Sequence, residues 1–167
     1  MDFLLIFVVE TIRNTPIWVW PLLAGLVWYG LRASGLRTTS ALAVYCLPLL
    51  GLISLREVMA AGGQAMLLWS VAWIFGLAIG YVMQKRWLLE KDGLRVTLQG
   101  EWFTMGALMT IFWLNYSTSV LRVIAPEIYA GPVWQLVFPI VIGLASGSFG
   151  GRALMVWRAP SSVPAPA

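Results

Sequence analysis

Long apolar stretches separated by short polar ones dominate the chain, and their lengths decide the class of protein. Residues 15–31, 41–60, 64–83, 102–124 and 133–157 are predominantly apolar. A helix needs about 20 such residues to cross the ~30 Å hydrocarbon layer of a bilayer, so the pattern predicts an all-α membrane protein, a bundle of five transmembrane helices. The opening run, Phe3 to Val9, turns polar at Glu10, Thr11, Arg13 and Asn14. It is too short to span and predicts a short N-terminal helix at the interface or against the bundle. Asp2 stands where a signal peptide would need a basic residue.

Residue chemistry marks where these elements begin and end. Pro16 suits a first helical turn, and Trp18, Trp20, Trp28 and Tyr29 stand where an aromatic belt would lie. Thr39 and Ser40 can cap the second span. Pro48 cannot donate to the carbonyl of Val44, so a kink is expected there, near Cys46 and Gly51. Ala61, Gly62 and Gly63 form a tight connection. Between 87 and 100 the period changes: Glu90, Lys91, Asp92 and Gly93 are turn residues, and Leu94, Val96 and Leu98 alternate with Arg95, Thr97 and Gln99. That pattern predicts a small β-hairpin whose apolar side rests on the bundle end or on lipid headgroups. Glu101 stands at the N-terminus of the fourth span, where the helix dipole favours an acid. Pro126, Glu127, Gly131 and Pro132 make a loop, and Pro139 predicts a bend in the fifth span. Residues 1–158 thus read as one membrane domain, with 159–167, rich in proline and small residues, as a disordered tail.

Composition sharpens this picture. Of 167 residues 60% are hydrophobic and 11% charged, and the mean hydropathy is +0.83, far from a soluble average. The basic residues lie beside the spans. Arg32 and Arg37, then Lys85, Arg86, Lys91 and Arg95, then Arg152 and Arg158 all fall on one side of a five-span chain. Basic residues collect on the cytoplasmic side, which predicts a bacterial inner-membrane protein with its N-terminus outside and C-terminus inside. The dispersed charge forms no patch for nucleic acid. A single cysteine, Cys46, excludes an internal disulfide and any CxxC arrangement, and with no histidine the usual metal and haem ligand is absent. Neither cofactor nor metal is expected. No G-x-S-x-G, H-E-x-x-H or P-loop is present, and Ser146 and Ser148 lack an activating base, which points away from an enzyme.

Two constellations remain. In the fifth span Gly143, Ser146, Gly147, Gly150 and Gly151 are spaced by three and four, a small-residue face against which another helix backbone can pack closely. Packing within the subunit is the expected use, with a ligand or a partner helix as the alternatives. In the fourth span Asn115, Ser119 and Arg122 share one helix face with Tyr116 close by, and Arg56 and Glu57 fall toward the same outer side, as do Glu10, Arg13 and Glu127. These residues form either an ion-pair network pinning helices together, with Glu57 paired to Arg122, or an outward-facing polar pocket.

Several of these stretches carry a resemblance. Thr15, Pro16 and Trp18, the stretch from Phe112 through Tyr116 to Pro126, and the closing Gly143, Leu144, Ser146, Gly147, Phe149, Gly151 and Arg152 resemble a family of small bacterial inner-membrane proteins classified as a domain of unknown function. The chain is also distantly similar to CcdC-like membrane proteins. The resemblance implies the same multi-span fold and no particular activity. Composition and motifs together favour a non-enzymatic structural or accessory component of a membrane complex. Its expected partners are membrane lipids and other membrane-protein subunits or further copies of the chain, held through the glycine face and the aromatic faces. The alternative is a small transporter or channel-like protein.

Overall fold

The computed structural model describes residues 16, 17 and 19–161; the expected N-terminal helix and most of the expected tail lie outside them. The order is α1 (Val19–Ala33), β1 (Arg37–Ser40), α2 (Ala41–Cys46), α3 (Leu49–Ala60), α4 (Gly63–Trp87), β2 (Leu88–Asp92), β3 (Arg95–Leu98), α5 (Phe103–Ile124), α6 (Pro126–Ala130) and α7 (Pro132–Arg158). Three helices, α4, α5 and α7, are long and apolar enough to cross a membrane. The expectation of five is corrected to that extent. α1 has 15 described residues, and the second stretch is divided at Leu47 and Pro48 into helices of 6 and 12 residues. The physical reason for the break is the missing N–H of Pro48. Pro139, by contrast, lies inside a continuous α7.

Contacts fix the relative directions of the helices. Ser54 meets Asn115 and Glu57 meets Arg122, so α3 and α5 are parallel. Gly51 faces Ser146 while Ala41 and Val44 cluster with Val156, so α2 and α3 run opposite to α7. Gly30, late in α1, faces Met105, early in α5, which sets those two antiparallel. The main core lies between the helices and includes Leu47, Val58, Leu108, Ile111, Phe138, Ile142 and Phe149.

One end carries a three-stranded antiparallel sheet in the order β1-β3-β2, where a two-stranded hairpin was expected. The added strand comes from the loop before the second stretch: Thr38 pairs with Thr97, and their hydroxyls lie 3.2 Å apart. A lone hairpin is marginal in water, and a third strand with a covered apolar face supplies what it lacks. That face is Val96 and Leu98, buried on α2 and the end of α7. Glu90, Lys91 and Asp92 are strand, and the turn is the tighter pair Gly93 and Leu94. Gly93 has φ +53°, at the first central position that type II′ hairpin turns reserve for glycine. Ser40 caps α2, its hydroxyl accepting from the Leu42 N–H at 3.3 Å. The segment expected as a loop after the fourth span holds the short helix α6, with Pro126 at its first turn.

Candidate functional site

The polar side chains collect at the two ends of the bundle. Far from the sheet, the C-terminal turn of α5 presents Arg122, which is ion-paired with Glu57 of α3 and donates to the Tyr129 hydroxyl of α6 at 3.2 Å. Its guanidinium lies 5.1 Å from the Tyr129 ring centroid. The pair is wet: the side chains are 49% and 25% exposed. About two helical turns deeper Asn115 donates to the Ser54 hydroxyl and to the Ile111 carbonyl, both at 2.8 Å, and the Ser119 hydroxyl donates to the Asn115 carbonyl at 3.0 Å. Tyr116 stacks on Phe112. Four of the six expected network residues, Glu57, Asn115, Ser119 and Arg122, therefore lie along this strip, while Tyr116 packs against Phe112 and Trp113. Arg56 is exposed and joins neither ion pair among the described residues, because it precedes Glu57 by one position and so points about 100° away around α3. Glu127 is exposed in α6; Glu10 and Arg13 lie outside the described residues. Ser54 and Tyr129, which complete the strip, carry no distinctive sequence signal.

The sheet end holds a cluster that sequence reasoning missed. Arg152 of α7 is fully buried, and every arm of its guanidinium is used. Nε donates to Gln84 Oε1 of α4 at 2.8 Å, Nη1 to Thr104 Oγ1 of α5 at 2.6 Å, and Nη2 to Glu101 Oε1 at 3.0 Å. The rings of Trp87 and Phe149 flank it at 5.3 and 5.9 Å. Glu101 in turn accepts the Thr104 backbone N–H at 2.7 Å and its hydroxyl, so the acid expected at the helix start does cap it. Arg152 was expected at the cytoplasmic surface. It is inside because α7 continues to Arg158, and this position falls on the face turned to α4 and α5. Of the cluster's members the sequence marked Glu101 alone, as an acid at a helix start.

Close to this cluster, Lys91 of β2 donates to the carbonyls of Val156, Trp157 and Ala159 at 2.8, 3.4 and 2.7 Å. It thereby satisfies the free carbonyls at the end of α7. Lys91 thus ties the sheet to the end of α7, beside the apolar contact that Val96 and Leu98 make there.

The glycine face is occupied by the chain itself, and it is two faces. Cβ atoms on Gly147 and Gly151 would fall on the carbonyl oxygens of Trp73 and Leu77, and one on Gly143 would sit 2.7 Å from that of Trp69. On α4, Gly76 and Gly80 meet the backbone of Leu144 and Ser148 in the same way. Two parallel helices thus meet backbone to backbone. Gly150 lies against the Trp73 indole, whereas Ser146 turns to α3, its Cβ 2.6 Å from where one on Gly51 would stand. A partner helix in this seam is excluded by α4, which fills it.

Among the described residues no three histidine, cysteine, aspartate or glutamate side chains gather in a way that could hold a metal. No family model matches the chain, and no curated protein and no solved structure matches it. Fold and site therefore define a class only, a small helical protein with membrane-compatible helices and a polar-fastened sheet at one end.

Proposed function

We propose that this protein is a non-enzymatic structural or accessory component of the bacterial inner membrane. One observation carries the reading: the charged groups and amides between the helices are paired with one another, leaving Gln84 Nε2 and the indole N–H groups of Trp69 and Trp134 as the buried polar atoms without a partner among the described residues. Arg122 with Glu57 and Tyr129, Asn115 with Ser54, and Arg152 with Gln84, Glu101 and Thr104 are mutual pairings across helices. A transporter needs polar groups left for its cargo, and an enzyme needs a nucleophile or base. Such networks instead fix helices in register.

In this reading α1 and the α2–α3 pair complete five crossings, supported by the run of α3 parallel to α5 and of α1 antiparallel to it. The sheet end faces the cytoplasm. Arg32, Arg37, Lys85, Arg86, Lys91, Arg95 and Arg158 lie there, against Glu90 and Asp92 outside the Arg152–Glu101 pair. With the glycine seam filled, the surfaces left for partners are the exposed apolar and aromatic faces, among them Trp28, Trp102 and Trp113.

The test is the mass of the intact particle after extraction in mild detergent, with everything that accompanies it identified by mass spectrometry. A defined larger complex is expected; a lone monomer carrying a small solute overturns the accessory role. Ser54→Cys, at a position fully buried between α3 and α5, in a Cys46→Ala background supplies a second check. It should resist water-soluble thiol reagents from either side, and ready labelling would favour the transporter.

A further inference from the structure

We infer that the outer face of α4 is a binding site for an anionic phospholipid of the cytoplasmic leaflet, with Lys85 and Arg86 holding the phosphate. The inference rests on the membrane reading and adds the class of lipid and the place.

The side of α4 that meets α7 is fixed by Gly76, Gly80 and Gln84, all buried. Residues two positions on from each of these stand about 200° around the helix and point out of the bundle. They are Ala78, Val82 and Arg86, and with Phe75, Ile79 and Lys85 beside them they make a single exposed stripe. The stripe is apolar for its whole length and becomes doubly basic at its last turn. From Phe75 to Lys85 the rise is ten residues at about 1.5 Å, roughly 15 Å, which is the acyl depth of one leaflet. An acyl chain laid along Phe75, Ile79 and Val82 therefore brings its headgroup to Lys85 and Arg86.

Charge decides between headgroups. Neither Lys85 nor Arg86 has an ion-pair partner among the described residues, and both are exposed. The acids next along the chain, Glu90 and Asp92, belong to β2, beyond the helix end. Two adjacent cations on one helix end attract a headgroup of net negative charge. A zwitterionic headgroup brings its own cation into the same place.

The experiment uses the full chain in mild detergent, supplied with phosphatidylglycerol and phosphatidylcholine of equal chain length in equal amounts. Lipid retained is read by native mass spectrometry. Phosphatidylglycerol should be retained in about tenfold preference, and the preference should vanish in Lys85→Gln/Arg86→Gln while surviving in Arg56→Gln at the other end of the bundle. Equal retention of the two lipids, or a preference that survives the double substitution, overturns the site. If the double variant does not fold, the unaltered chain decides. Half-molar salt screens the headgroup contact and should erase the preference, whereas persistence of the preference in salt would overturn the electrostatic site. Failure to retain either lipid would also overturn the site, whereas the membrane reading fails separately if the protein is recovered in the soluble fraction without detergent, so the two failures are told apart.

Discussion

Arg122 and Arg152 are both arginines on apolar helices, each paired with a glutamate, yet their surroundings give opposite consequences for losing them. Arg122 is half exposed and water can replace its partner. Exposed pairs contribute about 0–1 kcal/mol, so Arg122→Gln should leave the thermal midpoint in detergent nearly unchanged. Arg152 sits at 1% side-chain exposure against Glu101 at 4%, and removing one member of such a pair costs about 3–5 kcal/mol because the other charge is left buried. Arg152→Met should therefore lower the midpoint sharply. Arg152→Met/Glu101→Gln should recover part of the loss, since no uncompensated charge remains. If the double variant is as unstable as the single one, stranded charge is not the cause. Of these two clusters the sequence made only the outer one legible. Asn115, Ser119 and Arg122 recur at helical spacing and announce a face, whereas Gln84, Thr104 and Arg152 come from three helices and Glu101 from the turn before α5, and they meet only after folding.

At the scale of elements, α4 and α7 show what glycine is for in this chain. A Cβ at Gly147 or Gly151 would meet backbone that no rotamer change can move aside. Overpacking of this kind costs about 1–3 kcal/mol, so Gly147→Ala and Gly151→Ala should each destabilise the protein in thermal unfolding. Gly25 and Gly106 have nothing within 4 Å of the same position. There alanine gains about 1 kcal/mol of helix propensity, and Gly25→Ala and Gly106→Ala should be neutral or stabilising; a loss matching that at Gly147 would refute the seam. Spacing alone marked the seam, but Gly25 and Gly106 look no different in the sequence from glycines that are needed. Helix limits followed apolar periodicity closely for α4, α5 and α7. They failed in the second stretch, where a break at Pro48 replaced a kink, and in the first loop, where residues 37–40 form a strand only because β3 offers them an edge.

The whole molecule is polarised, with a sheet and most of the basic residues at one end and a small wet ion pair at the other. Among the described residues three continuous helices are long and apolar enough to cross, so the number of passages there turns on α1 and on α2 with α3. The divided stretch has 20 residues from Ala41 to Ala60, about 30 Å if it rises as helix. The parallel alignment of α3 with α5 carries it from the sheet to the level of Arg122. If it crosses, Leu36 and Ala61 lie on opposite sides of the membrane. Single cysteines at these two positions in a Cys46→Ala background, labelled in intact cells with a membrane-impermeant thiol reagent, give the answer. The residue at 61 should react from outside, and the one at 36 should react only once the cells are opened. Labelling of both from one side would make α2 and α3 a re-entrant pair. Pro48 would then be the turning point of a hairpin, and the contacts of Ser54 and Glu57 with α5 would have to be remade.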